Sequence, residues 1–237
     1  MLEREFCGPL GRTTERGAGG IGRIGGVTSA DLPGEGVPVE SVPAEGEADR
    51  PHVTARGVVA DLERVDAATY RAIAGSPTPT LDAALRGITR TADKSVLWFG
   101  TAAVIAVVGG STGRRASLTG VAAIGAASAL VNLGFKPLAR RSRPDRDGAE
   151  VVDGRLVPMP ESTSFPSGHS ASAFAFAEAV SSVIPALGVP LRLAAATVAY
   201  SRVHVGVHYP GDVIVGSLIG MTTGQTAARL GARIGTR

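Results

Sequence analysis

Long apolar stretches alternate with short polar ones over the second half of the chain. Five apolar segments lie at 95–113, 116–135, 170–184, 186–200 and 213–228. The first two carry no charged residue, and each is close to the ~20 residues with which a helix crosses a bilayer. Gly, Ala, Ser and Thr are frequent in all five, which suits close helix packing in lipid. The pattern predicts an all-α fold, a polytopic transmembrane bundle of about five to six helices, with a soluble Ala-rich bundle as the alternative.

Residues 61–92 have an amphipathic pattern instead. Two short helices are predicted there, separated by a turn at 76–79. The apolar positions of the two helices are Leu62, Val65, Tyr70 and Ile73, and then Leu81, Leu85 and Ile88. Neither stretch is long or apolar enough to span a bilayer, so these helices either pack on the core or lie at the membrane interface.

The first 60 residues form a separate compositional block. They contain 12 Gly and 5 Pro and show no helical or strand periodicity. No long apolar core of a secretory signal peptide is present. The Gly-rich run at 17–26 has neither a preceding strand nor a following lysine, so it does not resemble a nucleotide loop. We expect residues 1–60 to be a disordered tail and 61–237 to be one membrane-embedded domain.

Composition excludes several classes of protein. The single cysteine, Cys7, excludes a disulfide framework and a cysteine-based zinc cluster. A net charge of +3 and an aromatic content of 4% are both low for a nucleic-acid-binding protein. Mean hydropathy is +0.18 even with the polar tail included, so the remainder is strongly apolar.

Polar residues gather in three clusters, each at an end of an apolar segment. The clusters occupy 136–144, 165–169 and 201–212, and they contain three of the four histidines. Counting the segments places all three clusters on the same side of the membrane. Arginine, lysine and histidine side chains brought together in this way attract a phosphate dianion or a phosphorane-like transition state.

Five of these residues suit phosphate binding. Lys136 offers a point charge for one phosphoryl oxygen, whereas the planar guanidinium groups of Arg143 and Arg202 can each grip two oxygens. The second cluster opens a helix, whose free backbone N–H groups favour an anion. The Ser167 hydroxyl adds a hydrogen bond there, and Gly168 lets the backbone approach the ligand closely.

Two histidines and an aspartate suit the chemical step. His208 and Asp212 are four residues apart, so one helical turn brings the carboxylate near the imidazole. A carboxylate on one ring nitrogen fixes the tautomer and leaves the other nitrogen free to attack phosphorus. His169 can then protonate the leaving oxygen.

Two other interpretations of these residues stay open. The row His204, His208 and Asp212 has the spacing of one helical face and could bind zinc. Gly206 and Pro210 disfavour a continuous helix through it, so the alternative is that His204 lines the site or packs beside it. The remaining arginines of the first cluster are typical of a charged flank beside an apolar helix; they are Arg140, Arg141 and Arg146.

The three clusters together resemble the motifs of the type 2 phosphatidic acid phosphatase family, which also includes bacterial acid phosphatases and vanadium haloperoxidases. The family pattern is Lys-x6-Arg-Pro, then Pro-Ser-Gly-His, then Ser-Arg-x5-His-x3-Asp, and every position matches in order. The chain reads Lys136-x6-Arg143-Pro144, Pro166-Ser167-Gly168-His169 and Ser201-Arg202-x5-His208-x3-Asp212. The resemblance covers residues 94–230 and leaves the first 60 without a counterpart.

The resemblance implies an all-α core of the phosphatase type 2 and haloperoxidase kind, no metal or other cofactor, and a phosphohistidine intermediate. It implies that His208 is the nucleophile, Asp212 its partner and His169 the general acid. The phosphate ligands that it implies are Lys136, Arg143, Ser167, Gly168 and Arg202. Membrane members of the family typically have six spanning helices, whereas this chain shows five apolar segments.

The predicted function is therefore that of a multi-pass cell-membrane phosphatase acting on the phosphomonoester or pyrophosphate of a lipid. Phosphatidate, a polyprenyl diphosphate and a prenyl-linked sugar phosphate are all compatible, and neither nucleic acid nor metal is expected as a partner. One alternative is a vanadium-dependent haloperoxidase with vanadate attached at His208. The other is a non-catalytic membrane scaffold or transporter subunit. Arginines on the opposite side favour a site that faces outward, although the site-side loop is itself rich in arginine.

Overall fold

The computed structural model describes residues 54–149 and 151–234, and every regular element within these ranges is helical. The main helices are α1 (Ala55–Ala74), α2 (Pro79–Thr91), α3 (Val96–Val108), α4 (Gly110–Ala129), α6 (Gly168–Val183), α7 (Gly188–His204) and α8 (Pro210–Ile234). Helix α4 continues through a π-helical stretch, Leu130–Phe135, into one further turn, α5 (Lys136–Leu138). Short 3-10 turns occupy Asp93–Ser95, Asp153–Arg155 and Pro185–Leu187. The all-α prediction is confirmed.

Each of the five apolar segments is helical, but the helices differ in length. The continuous stretch Gly110–Leu138 is long and apolar enough to cross a membrane by itself. Helices α2 and α3, which meet at a 60° bend, satisfy the same criterion as a pair. Helices α3, α6 and α7 have 13, 16 and 17 residues, which at ~1.5 Å per residue is less than a hydrocarbon core of ~30 Å. The multi-pass arrangement therefore stays a prediction.

Helix α6 is the centre of the described bundle and packs against α4, α7 and α8. Three glycines at four-residue intervals on α8 make the closest approach: Gly216, Gly220 and Gly224. A β-carbon at these positions would lie 2.4, 2.3 and 2.5 Å from the backbone oxygens of Ser167, Ala171 and Ala175. Glycine is therefore required where α8 crosses the start of α6, and this contact places the second and third polar clusters side by side.

The two charges that interrupt the third and fourth apolar segments form a pair. Arg192 on α7 donates from Nε and Nη2 to the two carboxylate oxygens of Glu178 on α6, at 2.6 and 2.9 Å. Pairing offsets much of the cost of placing either charge in an apolar segment. The neighbouring core is apolar, with the rings of Trp98 and Phe176 tilted against each other at 5.4 Å.

Helices α1 and α2 confirm the predicted amphipathic pair and the turn between them. Helix α1 begins at Ala55, where the Thr54 hydroxyl accepts from the N–H of Gly57. The last six residues that we assigned to the tail are therefore helical, and residues 1–53, with the Gly-rich run, lie outside the described part of the chain. The predicted apolar face of α1 is divided: Tyr70 is buried, whereas Leu62 and Val65 remain more than half exposed.

Candidate active site

The three polar clusters meet at one end of the helices. The N–H of Ser167 donates to the backbone carbonyl of Asp212 at 3.0 Å, which joins the second cluster to the third. Arg143 joins the first cluster to the third, because its Nη1 donates to the carbonyl oxygen of Val207 at 2.6 Å. The loop between α5 and α6 thus folds over the ends of α7 and α8, and the predicted site residues lie around one region.

The carboxylate of Asp212 is fully buried and accepts several hydrogen bonds. One oxygen, Oδ2, lies 3.4 Å from Nδ1 of His208, accepts from the N–H of Tyr209 at 2.9 Å and accepts from the Ser164 hydroxyl. The other, Oδ1, accepts from Arg141 Nη1 at 2.9 Å. A carboxylate with this many donors is ionised and fixed in orientation.

The surroundings of His208 determine its tautomer. Nε2 lies 3.4 Å from Nη1 of Arg143, and a guanidinium group can only donate. Nε2 therefore carries the lone pair, and the ring proton lies on Nδ1, towards Asp212. Burial lowers the pKa of His208 to about 4, although the Asp212 carboxylate opposes this effect. The imidazole is neutral at pH 7, with its lone pair directed towards the cationic side of the site.

Two of the predicted phosphate ligands are held by the loop before α6. Lys136 Nζ donates to the Ser162 hydroxyl at 3.0 Å, and Arg143 Nε donates to the Ser162 carbonyl at 2.8 Å. These bonds bring the ammonium group of Lys136 and the guanidinium group of Arg143 together at Ser162. Lys136 keeps further N–H donors for an anion. Nη1 and Nη2 of Arg143 also contact Val207, His208, Ser162 and Thr163, so this guanidinium group offers an anion chiefly its positive charge.

Asp93, in the turn between α2 and α3, contacts two predicted site residues. Its Oδ1 lies 3.0 Å from Nε2 of His169 and 3.7 Å from Nη1 of Arg202. Arg202 is buried, donates to the Thr89 hydroxyl, and has an Nε with no hydrogen-bond partner in the described residues. Burial, followed by the positive charge of Arg202, lowers the pKa of His169 to about 3.

Helix α6 begins where the sequence predicts, but the Ser167 hydroxyl bonds to its own helix start. Ser167 is the N-cap, and its hydroxyl accepts from the N–H of Ser170 at 3.4 Å and from the Ser170 hydroxyl at 3.0 Å. The side chain is buried and directed into its own helix start. Gly168 is the first helical residue, and a β-carbon there would have Val131 as its nearest neighbour, at 3.8 Å.

Sequence reasoning missed several residues of this region. Arg141 was assigned to a charged flank, but it bridges Asp212 and Asp66 of α1, at 2.9 and 2.7 Å, and lies over the ring of Tyr209. Arg146 is likewise engaged, donating to the carbonyls of residues 157, 205 and 206. Arg140 remains exposed, as a flank residue should. Asp66, Asp93 and Ser164 carried no signal, because their partners are distant in the sequence.

The row His204, His208 and Asp212 does not come together. His204 Nε2 lies 2.8 Å from Asp82 of α2, a carboxylate that also accepts from Arg155 Nε at 2.7 Å. Over residues 54–149 and 151–234, no group of three His, Cys, Asp or Glu side chains is placed to hold a metal ion. His204 belongs to a separate buried cluster beside the site.

Comparisons with known proteins identify relatives of the chain. The sequence model of the PAP2 superfamily matches residues 117–234. The chain is 34% identical over 143 residues to the decaprenylphosphoryl-5-phosphoribose phosphatase of Mycobacterium tuberculosis, covering 60% of this chain and 76% of that protein. It is 32% identical over 102 residues to the lipid A 4'-phosphatase of Bacteroides thetaiotaomicron, covering 40% of this chain and 44% of that one.

Two solved structures share the fold. The transmembrane PAP2 type phosphatidylglycerolphosphate phosphatase of Bacillus subtilis aligns with a TM-score of 0.58 at 23% identity, over 73% of this chain and 88% of that chain. Aquifex aeolicus LpxE aligns with a TM-score of 0.54 at 27% identity, over 68% of this chain and 93% of that one. The family resemblance of the three motifs is confirmed, and the chain belongs to the PAP2 superfamily.

Proposed function

We propose that this chain is an integral membrane phosphatase that removes a phosphate group from a lipid phosphate or lipid diphosphate through a phosphohistidine. The observation that carries the proposal is the setting of His208. Its Nδ1 faces the buried Asp212 carboxylate, and its Nε2 lone pair faces Arg143. A neutral imidazole with an oriented lone pair beside fixed cations is suited to attack a phosphate dianion.

The phosphate is held by the cationic side of this site. Lys136, Arg143 and Arg202 neutralise its oxygens, and the free N–H groups at the start of α6 supply further donors. Nε2 of His208 attacks phosphorus, so a P–N bond forms as the bond to the leaving oxygen breaks. His169 donates its proton to that oxygen, then takes a proton from the water that hydrolyses the phosphohistidine.

His169 has to be protonated for this role, and the substrate supplies the necessary charge. Without an anion, burial and nearby cations keep its pKa at about 3. A bound phosphate dianion offsets those cations and therefore raises the pKa of His169 in the complex. Asp93, 3.0 Å from Nε2, also favours the imidazolium form. Protonation of the general acid is thereby linked to substrate binding.

The position of the site and the names of the relatives support a lipid substrate in a cell membrane. The site lies at the ends of helices that come from apolar segments, where a lipid head group would lie. Relatives of the chain act, by name, on decaprenylphosphoryl-5-phosphoribose and on lipid A. We propose a multi-pass arrangement of these helices, with the membrane domain beginning at α1 and residues 1–53 preceding it as a tail.

The test is phosphate release by the detergent-solubilised full chain with EDTA present. The panel contains phosphatidate, a long-chain prenyl diphosphate, a prenyl-linked sugar phosphate and a water-soluble phosphate ester. We expect turnover of at least one lipid in EDTA, lost in His208→Ala and kept in Arg140→Ala, which removes an exposed cation of the same loop. Activity only with an added divalent metal, or equal turnover by His208→Ala, would overturn the proposal.

A further inference from the structure

The turn between α2 and α3 places a carboxylate against two groups that the proposed mechanism assigns to the phosphate. Oδ1 of Asp93 lies 3.0 Å from Nε2 of His169 and 3.7 Å from Nη1 of Arg202. In the mechanism above, His169 protonates the leaving oxygen and Arg202 neutralises a phosphoryl oxygen. Because carboxylate and phosphate oxygens accept from the same cationic donors, Asp93 occupies a place that suits an oxygen of the substrate.

The groups around Asp93 have unused capacity for an anion. Arg202 is buried, and its Nε has no hydrogen-bond partner in the described part of the chain. A buried donor without a partner is unfavourable, and the Asp93 carboxylate approaches Nη1 instead. Besides burial, the positive charges of Arg202 and Lys136 lower the pKa of His169, so both cations lie near this imidazole. A phosphate dianion, with more oxygens and more charge, satisfies such a set of donors better than one carboxylate does.

Asp93 reaches these groups from the exposed edge of the site. Its side chain is 57% exposed, whereas those of His169 and Arg202 are 26% and 2% exposed. His169 lies in the first turn of α6 and Arg202 in the last turn of α7, and these two helices pack against each other. The Asp93 carboxylate can therefore turn outward while its two partners stay in place.

The backbone that carries Asp93 is strained. Lys94 and Ser95 follow it with φ of 51° and 60°, so two consecutive residues with a β-carbon adopt the left-handed conformation that favours glycine. A conformation of this kind persists only where the surrounding structure holds it. The contacts of Asp93 with His169 and Arg202 fix this turn to α6 and α7. An anion that replaced the carboxylate would release the turn from those contacts.

We propose that Asp93 is a built-in competitor of the substrate, whose carboxylate occupies the general-acid side of the free site and is displaced when a phosphate binds. This role rests on the proposed function and adds a device that limits anion binding at the same site. A carboxylate of the same chain competes at a high effective concentration, so it lowers the affinity of the site for phosphate. In the free protein Asp93 supplies the negative charge beside His169 that the bound phosphate supplies in the complex.

A competitor and a positioning residue differ in the kinetic constant that they control. A carboxylate that had to stay on Nε2 of His169 during the reaction would support kcat, and its removal would lower kcat. A carboxylate that the substrate displaces opposes binding, so its removal lowers KM and leaves kcat nearly unchanged. The two roles of Asp93 are separated by measuring kcat and KM independently.

The experiment measures kcat, KM and inhibition by inorganic phosphate for the detergent-solubilised full chain, on the lipid phosphate of the panel above that it hydrolyses best. Asp93→Asn removes the charge at nearly constant volume. Asp147→Asn makes the same change at an exposed position of the loop between α5 and α6 and is the matched control. In Asp93→Asn we expect KM and the inhibition constant of phosphate to fall roughly 5- to 50-fold, with kcat within about threefold of the wild type. In Asp147→Asn each constant should change less than about twofold.

The results that would overturn the competitor are distinct from failure of the proposed function. Unchanged phosphate inhibition in Asp93→Asn would overturn it, and an accompanying fall in kcat would make Asp93 a positioning residue of His169. Equal tightening in Asp93→Asn and Asp147→Asn would overturn it also, because net charge alone would then explain the effect. Absence of phosphate release from every lipid would overturn the proposed function. Calorimetric binding of inorganic phosphate then tests the competitor alone, and equal affinity in the wild type and Asp93→Asn would overturn it.

Discussion

Two buried histidine–aspartate pairs lie side by side in this protein, and our proposed mechanism uses only one of them. His208 faces Asp212, and His204, four residues earlier, faces Asp82. In each pair the carboxylate also accepts from an arginine, Arg141 or Arg155. The two groups therefore have the same composition, and the histidine and aspartate are buried in both, whereas Arg141 is partly exposed and Arg155 is fully buried.

The pairs differ in which imidazole nitrogen of the histidine does not contact the carboxylate. Asp212 contacts Nδ1 of His208, which leaves the Nε2 lone pair beside the phosphate-binding cations. Asp82 contacts Nε2 of His204, which leaves Nδ1 buried and without a partner in the described part of the chain. Because a nucleophile needs an open lone pair near its electrophile, the tautomer and its direction decide the role, and composition does not.

The arginines differ in the same sense. Arg155 is buried and donates to the carbonyls of Ile73, Ala74 and Ser76, so it closes the end of α1 and secures the turn into α2. Arg141 instead connects Asp212 to Asp66 on α1. One cluster holds helices together, whereas the other holds a reactive group in position.

The largest difference between the two pairs is expected when each histidine is replaced, one at a time, by alanine. We expect His208→Ala to lower kcat/KM at least ~1,000-fold, because this change removes the proposed nucleophile. His204→Ala should lower the melting temperature while the folded fraction keeps kcat/KM within about fivefold of the wild type. Phosphate release and thermal unfolding, measured on the same preparations, give both values. Equal loss of activity in the two variants would contradict the assignment of different roles to His208 and His204.

The second-largest difference is expected between variants in which each aspartate is replaced by asparagine. We expect Asp212→Asn to lower kcat roughly 100- to 10,000-fold, because an amide cannot hold the same tautomer of His208. Asp82→Asn should lower the free energy of unfolding by about 3 kcal/mol, because Arg155 is left buried without its counter-charge. Denaturant unfolding and kcat on the best lipid substrate measure the two effects. A catalytic defect in Asp82→Asn larger than that in Asp212→Asn would contradict the assignment.

A smaller effect on kcat is expected from replacing Arg141, which pairs with Asp212, or Asp66, which pairs with Arg141. Arg141→Gln should lower kcat about tenfold and leave KM nearly unchanged, because Arg141 orients the carboxylate without reaching the phosphate. Asp66→Asn should act in the same direction but less, since it contacts Asp212 only through Arg141. The double variant should be no worse than Arg141→Gln alone. A rise in KM with kcat unchanged would instead place Arg141 among the phosphate ligands.

The last expected effect is a pH dependence of stability to which both histidines contribute. Burial lowers the pKa of His208 to about 4, so the unfolded chain binds more protons than the folded one between pH 6.5 and 4. Stability from this residue is complete above pH 6.5 and declines as the pH falls towards 4, by at most about 3 kcal/mol. Burial also lowers the pKa of His204, so it contributes with the same sign.

Thermal unfolding in detergent at pH 7 and pH 4.5 measures this dependence. His208→Gln and His204→Gln should each reduce the difference between the two melting temperatures. Such a result would show that the pairs resemble each other in stability and differ only in chemistry. A larger difference between the two temperatures in either variant would contradict the assigned direction.

Much of this arrangement could be predicted from local pattern. The hydropathy of residues 95–228 predicted the helices, and the spacing of His208 and Asp212 predicted their contact across one turn. The motifs also predicted that Lys136, Arg143, His169 and Arg202 gather in one region. These predictions succeeded because they depend on residues close together in the sequence, or on helix ends that apolar segments bring to the same level.

The prediction for His204 stayed open between a metal ligand and a neighbour of the site, and that for Arg141 was wrong. Both depend on Asp82 and Asp66, which lie 122 residues before His204 and 75 before Arg141. No periodicity relates residues so far apart, because their distance depends on how α1 and α2 pack against the later helices. Leu62 and Val65 were predicted on the apolar face of α1 but remain exposed, because the pattern of α1 does not show which part of that face other helices cover.

The sequence by itself determined the helices and the family, and it proposed the groups that would bind and attack a phosphate, because each depends on residue type and short spacing. The tertiary structure decided which nitrogen of each histidine does not contact a carboxylate and which arginine supports Asp212. These features are hydrogen bonds formed between distant helices, and their geometry exists only once those helices are packed together.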